Sequence, residues 1–179
     1  MRILVAAAVL ACVLAGFGMS AGAGTTTTRS RSITSRIDLD RSILAEMNAV
    51  RVAKGLRPLS ASPELASAAN QHSRAMARAG FFAHESVDGK PFWRRLQRFY
   101  ASAGFRSWTV GEDLLWVSPD VDAKEAVSMW LRSPTHRRIL LKRDFRQLGL
   151  AAVHTPAAPG AYRGLEVTIV TADFGARSR

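Results

Sequence analysis

The chain has 179 residues, of which 47% are hydrophobic, and it carries a formal net charge of +11 at pH 7. This length allows one domain plus a targeting segment, and the hydrophobic fraction excludes a wholly disordered protein. The positive charge favours anionic partners such as nucleic acid, acidic lipid or wall polymers. The only cysteine is Cys12, so the body of the protein can form no internal disulfide.

Residues 1–23 are typical of a secretory signal peptide. Arg2 provides a charged start, an apolar run covers residues 3–19, and a stretch of small residues ends at Ala23. We expect cleavage after Ala23, a secreted extracellular product and no transmembrane domain in that product. The alternative is an uncleaved signal anchor, because the apolar run is nearly long enough to span a bilayer. Cys12 lies inside this run, which is a poor position for a lipid-anchored cysteine.

The rest of the chain is predicted to be one domain with short flanking segments. Residues 24–37 are rich in Thr, Ser and Arg and have few apolar side chains, which predicts a disordered linker. Residues 38–176 are predicted to form the single domain, and residues 177–179 a basic tail.

Helices are predicted in the first part of this domain. Apolar residues recur at helical spacing from Leu39 to Val50, and Gly55 ends the run. The second helix begins at Ser62, a residue type that caps helices, and ends at Gly80. On its apolar face we interpret the histidine at position 72, His72, as a core residue.

Two further helices follow. The third opens at residues 90–91, and its buried side is predicted to carry Phe92, Leu96, Phe99 and Tyr100. The fourth begins at Asp122, which has capping-box spacing to Glu125, and carries Trp130 as a core residue. Pro134 bars ordinary continuation, so this helix is predicted to end at Ser133, with the chain turning around His136.

The hydrophobic period changes after Phe145. Residues 148–153 and 165–171 are short apolar or β-branched runs, and the segment between them contains prolines and a glycine. We interpret them as two antiparallel strands, with residues 106–109 as a third strand and His154 solvated at a strand end. Helices first and strands late predict an α+β domain with helices packed on a small sheet.

Short motifs occur in a fixed order along this domain: SPELA at 62–66, GFFAH at 80–84, GEDL at 111–114, SPTHR at 133–137, LGL at 148–150 and DFG at 173–175. In this order the sequence resembles the CAP superfamily, which includes cysteine-rich secretory proteins, venom antigen 5 and the class-one plant pathogenesis-related proteins. It is most similar to the secreted bacterial branch, over about residues 39–175. The resemblance implies an α-β-α sandwich around a cleft lined by two histidines and two acids.

The resemblance assigns three of these four cleft residues. His84 matches the first histidine, Glu112 the acid of the Gly-Glu-Asn motif, and His136 the second histidine, thirteen residues before Gly149. The second acid has no counterpart, because Ser133 stands in its place. The expected ligand cleft therefore comprises a triad with Ser133 beside it.

Two smaller departures from the family pattern accompany this loss. Asp113 stands where asparagine is usual after the glutamate, and Arg138 stands where the bacterial pattern has asparagine. Any mechanism that requires two acids is put in doubt.

Three chemical roles are open for His84, Glu112 and His136. Two imidazoles and one carboxylate can hold a divalent metal such as zinc and leave a position for water. Without a metal, a histidine beside Glu112 can act as a general base near neutral pH. The third possibility is that these side chains only hydrogen-bond one another and hold the cleft together.

The resemblance favours a non-enzymatic protein that binds a small, lipidic or cell-envelope ligand, because binding, including sterol and lipid carriage, is common among family members. The alternative is a metal-dependent hydrolase or peptidase that uses His84, Glu112 and His136. A third hypothesis is electrostatic adhesion with a vestigial cleft. The one Gly-x-Ser-x-Gly stretch, residues 18–22, lies within the predicted signal peptide, so no such motif in residues 24–179 indicates a serine hydrolase.

The basic residues fall in clusters along the chain. One of them comprises Arg94, Arg95 and Arg98, and we interpret such clusters as solvated surface that can meet anionic lipid or cell-envelope components. Secretion argues against nucleic acid as the physiological partner.

Overall fold

The computed structural model describes residues 32–179. The predicted signal peptide, its cleavage site and residues 24–31 of the predicted linker lie outside the described residues. Within 32–179, no helix is both long and apolar enough to cross a membrane. The elements in chain order are β1 Thr34–Ser35, α1 Ile37–Ala53, β2 Ser60–Ala61, α2 Pro63–Ala79, α3 Phe92–Phe99, β3 Ser107–Val117, α4 Ala123–Arg132, α5 Pro134–Leu140, β4 Gln147–Thr155 and β5 Val167–Ser178.

The strands form one mainly antiparallel sheet in the order β1-β4-β5-β3, and the short β2 joins β4 in parallel. β4 and β5 are the two late antiparallel strands that the sequence predicts. β5 also pairs with β3, and this register sets Glu112 opposite Asp173. Because β3 pairs with β5 alone among the described strands, its outer edge is available to border a cleft.

Helices cover both faces of the sheet. α2 lies directly against β4, where the hydroxyl of Ser73 donates a 2.8 Å hydrogen bond to the carbonyl of Ala151. On the opposite face, α1 and α4 enclose the main core with the inward side chains of β4 and β5. This core includes Ile43, Met47, Val127, Trp130, Phe145, Leu148, Val170 and Phe174. The predicted α+β class and the α-β-α sandwich are confirmed.

Local signals placed two helix starts correctly. The Ser62 hydroxyl accepts a 3.3 Å hydrogen bond from the backbone N–H of Leu65, and Gly80 ends α2 with φ 72°. At α4, the Asp122 carboxylate accepts a 2.8 Å bond from the backbone N–H of Glu125. Each cap satisfies one backbone donor that the first helical turn leaves without a partner.

The ordered structure begins before the predicted boundary at Asp38. β1 pairs antiparallel with β4, with Thr34 opposite His154, and α1 already begins at Ile37. The prediction that the linker extends to residue 37 is therefore wrong for its last residues. Strand pairing uses backbone groups, so a Thr/Ser-rich composition did not reveal it.

The predicted basic tail is also partly structured. β5 continues to Ser178, two residues beyond the predicted domain end at 176. Within it, the guanidinium of Arg177 lies 4.0 Å from the ring centroid of Tyr100 and 3.0 Å from a carboxylate oxygen of Glu64. The sequence predicts that an arginine in this tail is solvated, but the planar guanidinium of Arg177 packs on the ring of Tyr100.

The prediction of a turn around His136 is wrong, although the predicted helix end at Ser133 is confirmed. Pro134 occupies the first turn of the new helix α5, where a missing backbone N–H costs nothing. Ser133 is extended, with ψ 119°, and joins α4 to α5. His136 therefore projects from a helix.

The predicted strand at 106–109 is the start of a longer one. β3 runs from Ser107 to Val117 and contains the Gly-Glu-Asp motif. Glu112 and Asp113 interrupt the apolar pattern, so the strand predicted from the sequence ends too early. His154 lies at the end of β4 as predicted, but it is half-buried and not solvated, with Nε2 3.3 Å from Oε1 of Glu166.

Candidate functional site

Glu112 is the centre of the candidate site. It lies in the middle of β3, and its side chain has no exposed surface. Oε1 lies 2.8 Å from Nδ1 of His84, and Oε2 forms an ion pair with the guanidinium of Arg95. The Arg95 side chain is 3% exposed, whereas that of His84 is 47% exposed. The buried carboxylate thus holds one histidine at the protein surface.

Arg95 is the functional residue that the sequence interpretation missed. The prediction of a solvated surface is wrong for this residue, which α3 buries against Glu112. Its Nη1 also donates a 3.1 Å hydrogen bond to the hydroxyl of Ser86. Arg95 lies three residues after Phe92 and one before Leu96, so it occupies a position in the apolar stripe of α3. A charge at such a position signals a buried partner.

His72 positions the segment that carries His84. It is 1% exposed on α2, as the core interpretation predicts, and its Nε2–H donates a 2.8 Å hydrogen bond to the carbonyl of Ala83. Burial lowers the pKa of His72 to about 4; the carboxylate of Glu112 raises it and the cation of Arg95 lowers it. A neutral His72 therefore ties the residue before His84 to α2.

His136 approaches the same end of β3 from the other side of the sheet. It is half-buried on α5, and the pKa of its imidazole is lowered first by burial and then by the positive charge of His84. α5 contacts β3 where Ile139 packs close to Gly111. The structure thus brings the two imidazoles within electrostatic reach, although no hydrogen bond joins them in the described chain.

Ser133 lies half-buried at the joint between α4 and α5, and its backbone N–H donates a 3.2 Å bond to the carbonyl of Trp130. No hydrogen bond links its hydroxyl to His84, Glu112 or His136 within residues 32–179. It adds no acidic group to the triad.

Two further acids flank Glu112 and neither was predicted as a site residue. Asp173 is fully buried opposite Glu112, and its pKa is raised well above the usual range by burial and by the charge of Glu112. Asp113 points to the other face of the sheet, and burial followed by the charge of Glu112 raises its pKa to about 8. Burial thus favours the protonated form of both carboxyl groups. Asp173 could have been identified from the sequence, because it is an acid within the otherwise apolar stretch of β5.

The three predicted ligands do not fit a metal site as they stand. Within residues 32–179, no group of three or more His, Cys, Asp or Glu side chains is arranged to hold an ion. Glu112 already uses one oxygen for His84 and the other for Arg95. A metal site would need Glu112 to exchange these partners, so the three-ligand metal site stays a prediction.

The chemistry of the site depends on the exposed side of His84. When Nδ1 donates to Glu112, Nε2 keeps a lone pair that can accept a hydrogen bond or a proton. No hydroxyl among the described residues hydrogen-bonds to His84. Ser73 bonds to Ala151 and Thr171 instead, and Ser86 bonds to Arg95. The site can therefore bind a donor group or activate a water molecule, and it holds no side-chain nucleophile ready for attack.

Residues 44–174 match the sequence model of the cysteine-rich secretory protein family, CAP. The uncharacterized protein YkwD of Bacillus subtilis is 27% identical over 132 residues, which are 73% of this chain and 48% of that protein. The chain thus spans about half the length of this relative.

Solved structures of bacterial proteins are also similar. An extracellular protein containing an SCP domain from Bacillus anthracis is 26% identical with a TM-score of 0.60, over 80% of this chain and 41% of that chain. An outer surface protein of Borrelia burgdorferi has a TM-score of 0.66 at 18% identity, covering 83% of this chain and 100% of that chain. A cysteine-rich secretory protein of Staphylococcus aureus has a TM-score of 0.51 at 18% identity, covering 75% and 39%. The last two show the fold alone, and the relatives above 25% identity confirm the bacterial branch.

Proposed function

The chain belongs to the cysteine-rich secretory protein (CAP) family, and we propose that it is a secreted, non-enzymatic protein that binds a small, lipidic or cell-envelope ligand at the cleft of His84, Glu112 and His136. The observation that carries this proposal is the arrangement around Glu112. Its charge is balanced by buried Arg95, and its other oxygen orients a half-exposed His84. Such a carboxylate positions a hydrogen-bonding group for a ligand.

Binding fits this arrangement better than two-acid catalysis. The second acid of the family tetrad is replaced by Ser133, and burial raises the pKa of Asp113 and Asp173, the acids nearest to Glu112, which favours their protonated forms. Hydrolysis by an acid and a base needs groups that exchange protons with substrate and water. Asp113 and Asp173 are fully buried and do not meet solvent.

Secretion and anionic partners are part of the same proposal. The N-terminal signal pattern supports export, and the Bacillus anthracis relative is described as extracellular. The formal charge of +11 supports attraction to acidic lipids or wall polymers.

The test is recovery of a bound molecule. The purified protein is incubated with an envelope extract of lipids and wall fragments, re-isolated, and analysed by native mass spectrometry. We expect the wild type to retain a small molecule that is released chemically unchanged. The variant His84→Ala/His136→Ala should lose it, whereas the control His154→Ala, which alters a half-buried histidine outside the cleft, should keep it. A ligand retained equally by all three proteins would contradict the proposed cleft.

The second candidate is a metal-dependent hydrolase, and the 2.8 Å contact between His84 and Glu112 is the observation that favours it. Zinc titration followed by thermal melting separates the two functions, because an ion that binds only the folded protein raises its melting temperature. The hydrolase requires a zinc-induced rise in wild type and in His154→Ala that His136→Ala abolishes. An equal rise in all three places the ion elsewhere and removes this candidate.

A further inference from the structure

A cavity lies between α2 and α3, and its lining includes His72 and Arg95 but not His84, Glu112 or His136. Its volume is about 640 Å³, within the range of roughly 300–1,000 Å³ that small-molecule sites occupy. Both His72 and Arg95 line the cavity, and Arg95 also forms the ion pair with Glu112. The lining residues that matter here are Ala75, Val87, Lys90, Arg94, Arg95 and Arg98.

The cavity has an excess of positive charge. Four of its lining residues are cations and one, Asp88, is an acid. Lys90 pairs with Asp88 at 2.6 Å, and Arg95 pairs with Glu112. Arg94 and Arg98 have no carboxylate partner among residues 32–179. They lie four residues apart on α3, where like charges repel one another across one helical turn.

The same cavity offers apolar contacts and an unused donor. Ala75 and Val87 line it, and Val87 is 68% exposed. Arg95 lines the cavity, and its Nε is buried without a hydrogen-bond partner in the described chain. A buried donor without a partner is costly, and a ligand acceptor would relieve that cost. The cavity thus suits an anion that carries an apolar part.

We propose that this cavity binds the phosphate-ester group of a small amphiphile, with Arg94 and Arg98 as the residues that contact the phosphate. The planar guanidinium matches phosphate oxygens with two parallel hydrogen bonds, and two such groups one turn apart can share a single phosphate. Ala75 and Val87 then contact the ester substituent. The site is separate from the proposed binding cleft, so it stands or fails independently of that function.

Two probes distinguish a free phosphate ester from a lipid head group. Glycerol 3-phosphate is titrated by calorimetry, and phosphatidylglycerol vesicles are tested by co-sedimentation against phosphatidylcholine vesicles. Binding of the soluble ester identifies a free small phosphate as sufficient. Binding to phosphatidylglycerol vesicles alone identifies a lipid source. Binding to neither probe overturns the proposal.

Two variants show whether the cavity itself is the site. Arg94→Gln/Arg98→Gln should weaken binding of the responding probe about tenfold, since it removes two charge-assisted contacts. Arg57→Gln/Arg143→Gln removes the same charge at exposed positions outside the cavity and should change affinity by less than about twofold, because exposed distant charges are screened. Ala75→Trp leaves every charge in place and fills the cavity, and it should also weaken binding about tenfold.

Two results of these variants would contradict the assignment of the cavity. If the control pair loses as much affinity as the α3 pair, the interaction is a general effect of net charge. If Ala75→Trp binds as tightly as wild type while its melting temperature shows a folded protein, the phosphate does not enter the cavity. Either result overturns the assignment.

Discussion

The side chain of Asp113 lies on the face of β3 opposite to Glu112, with Leu115 and the paired Ala172 on the same side of the sheet. Both of its carboxylate oxygens are buried and have no hydrogen-bond partner within residues 32–179. Burial raises the pKa of this group from its ordinary 3.8 to about 8. Since the folded state holds the proton more tightly than the unfolded chain, folding should weaken as the pH rises from about 4 to 8.

Replacing this group gives a prediction at the residue scale. Asp113→Asn removes the charge that folding must neutralise and keeps the size of the side chain. We expect the variant to match wild type near pH 4 and to exceed its unfolding free energy by about 2 kcal/mol or more at pH 9. Urea unfolding at both values measures the difference. The exposed control Asp144→Asn should show no such growth with pH, and equal behaviour of the two variants would refute the buried ionisation.

The residue scale also shows what the sequence could predict. His84, Glu112 and His136 were identified because their motifs are local and ordered along the chain. Arg95 was missed because its partner lies seventeen residues away, across the contact between α3 and β3. Helical periodicity predicts the face of the helix on which a residue lies, but it does not identify the side chain that this residue contacts in the fold.

At the scale of elements, the packing of α2 on the sheet depends on Gly149. A Cβ at this position would overlap the backbone of Leu65 and Ala66 at the start of α2. α2 carries His72, and its C-terminal end leads into the segment with His84. The close approach of β4 to α2 therefore supports the histidine side of the cleft.

The corresponding prediction concerns Gly149→Ala. Because the obstacle is helix backbone and not a flexible side chain, we expect a loss of unfolding free energy at or above the upper end of the ~1–3 kcal/mol usual for overpacking. The control Gly55→Ala meets no atom within 4 Å but has φ +67°, and should cost only about 1 kcal/mol. Chemical denaturation of both variants gives the comparison, and similar losses would show that α2 can shift without penalty.

Element boundaries were harder to predict than element types. α2 and α4 were placed by capping residues, which act locally. β1 and β2 are two residues long and exist only because β4 offers backbone partners. Pro134 ends α4 and also begins α5. The sequence interpretation used the proline only as a helix end and missed that it can start the next helix.

For the whole molecule, the formal charge of +11 predicts salt-sensitive attachment to anionic surfaces. The screening length falls from about 10 Å at 0.1 M salt to about 3 Å at 1 M. We expect retention on isolated cell walls or acidic vesicles at low salt and release as the salt concentration rises, measured by sedimentation. Retention that molar salt leaves unchanged would contradict an electrostatic attachment and indicate apolar insertion.

The most direct test of the proposed cleft is nuclear magnetic resonance of the protein with ¹⁵N-labelled histidine. The chain has four histidines, His72, His84, His136 and His154, so each imidazole can be followed separately while the ligand recovered by native mass spectrometry is added. The account predicts that the signals of His84 and His136 move together and saturate, that His154 stays unchanged, and that the ligand remains chemically intact. Saturable binding that leaves both His84 and His136 unchanged, or conversion of the ligand to products during the titration, would contradict it.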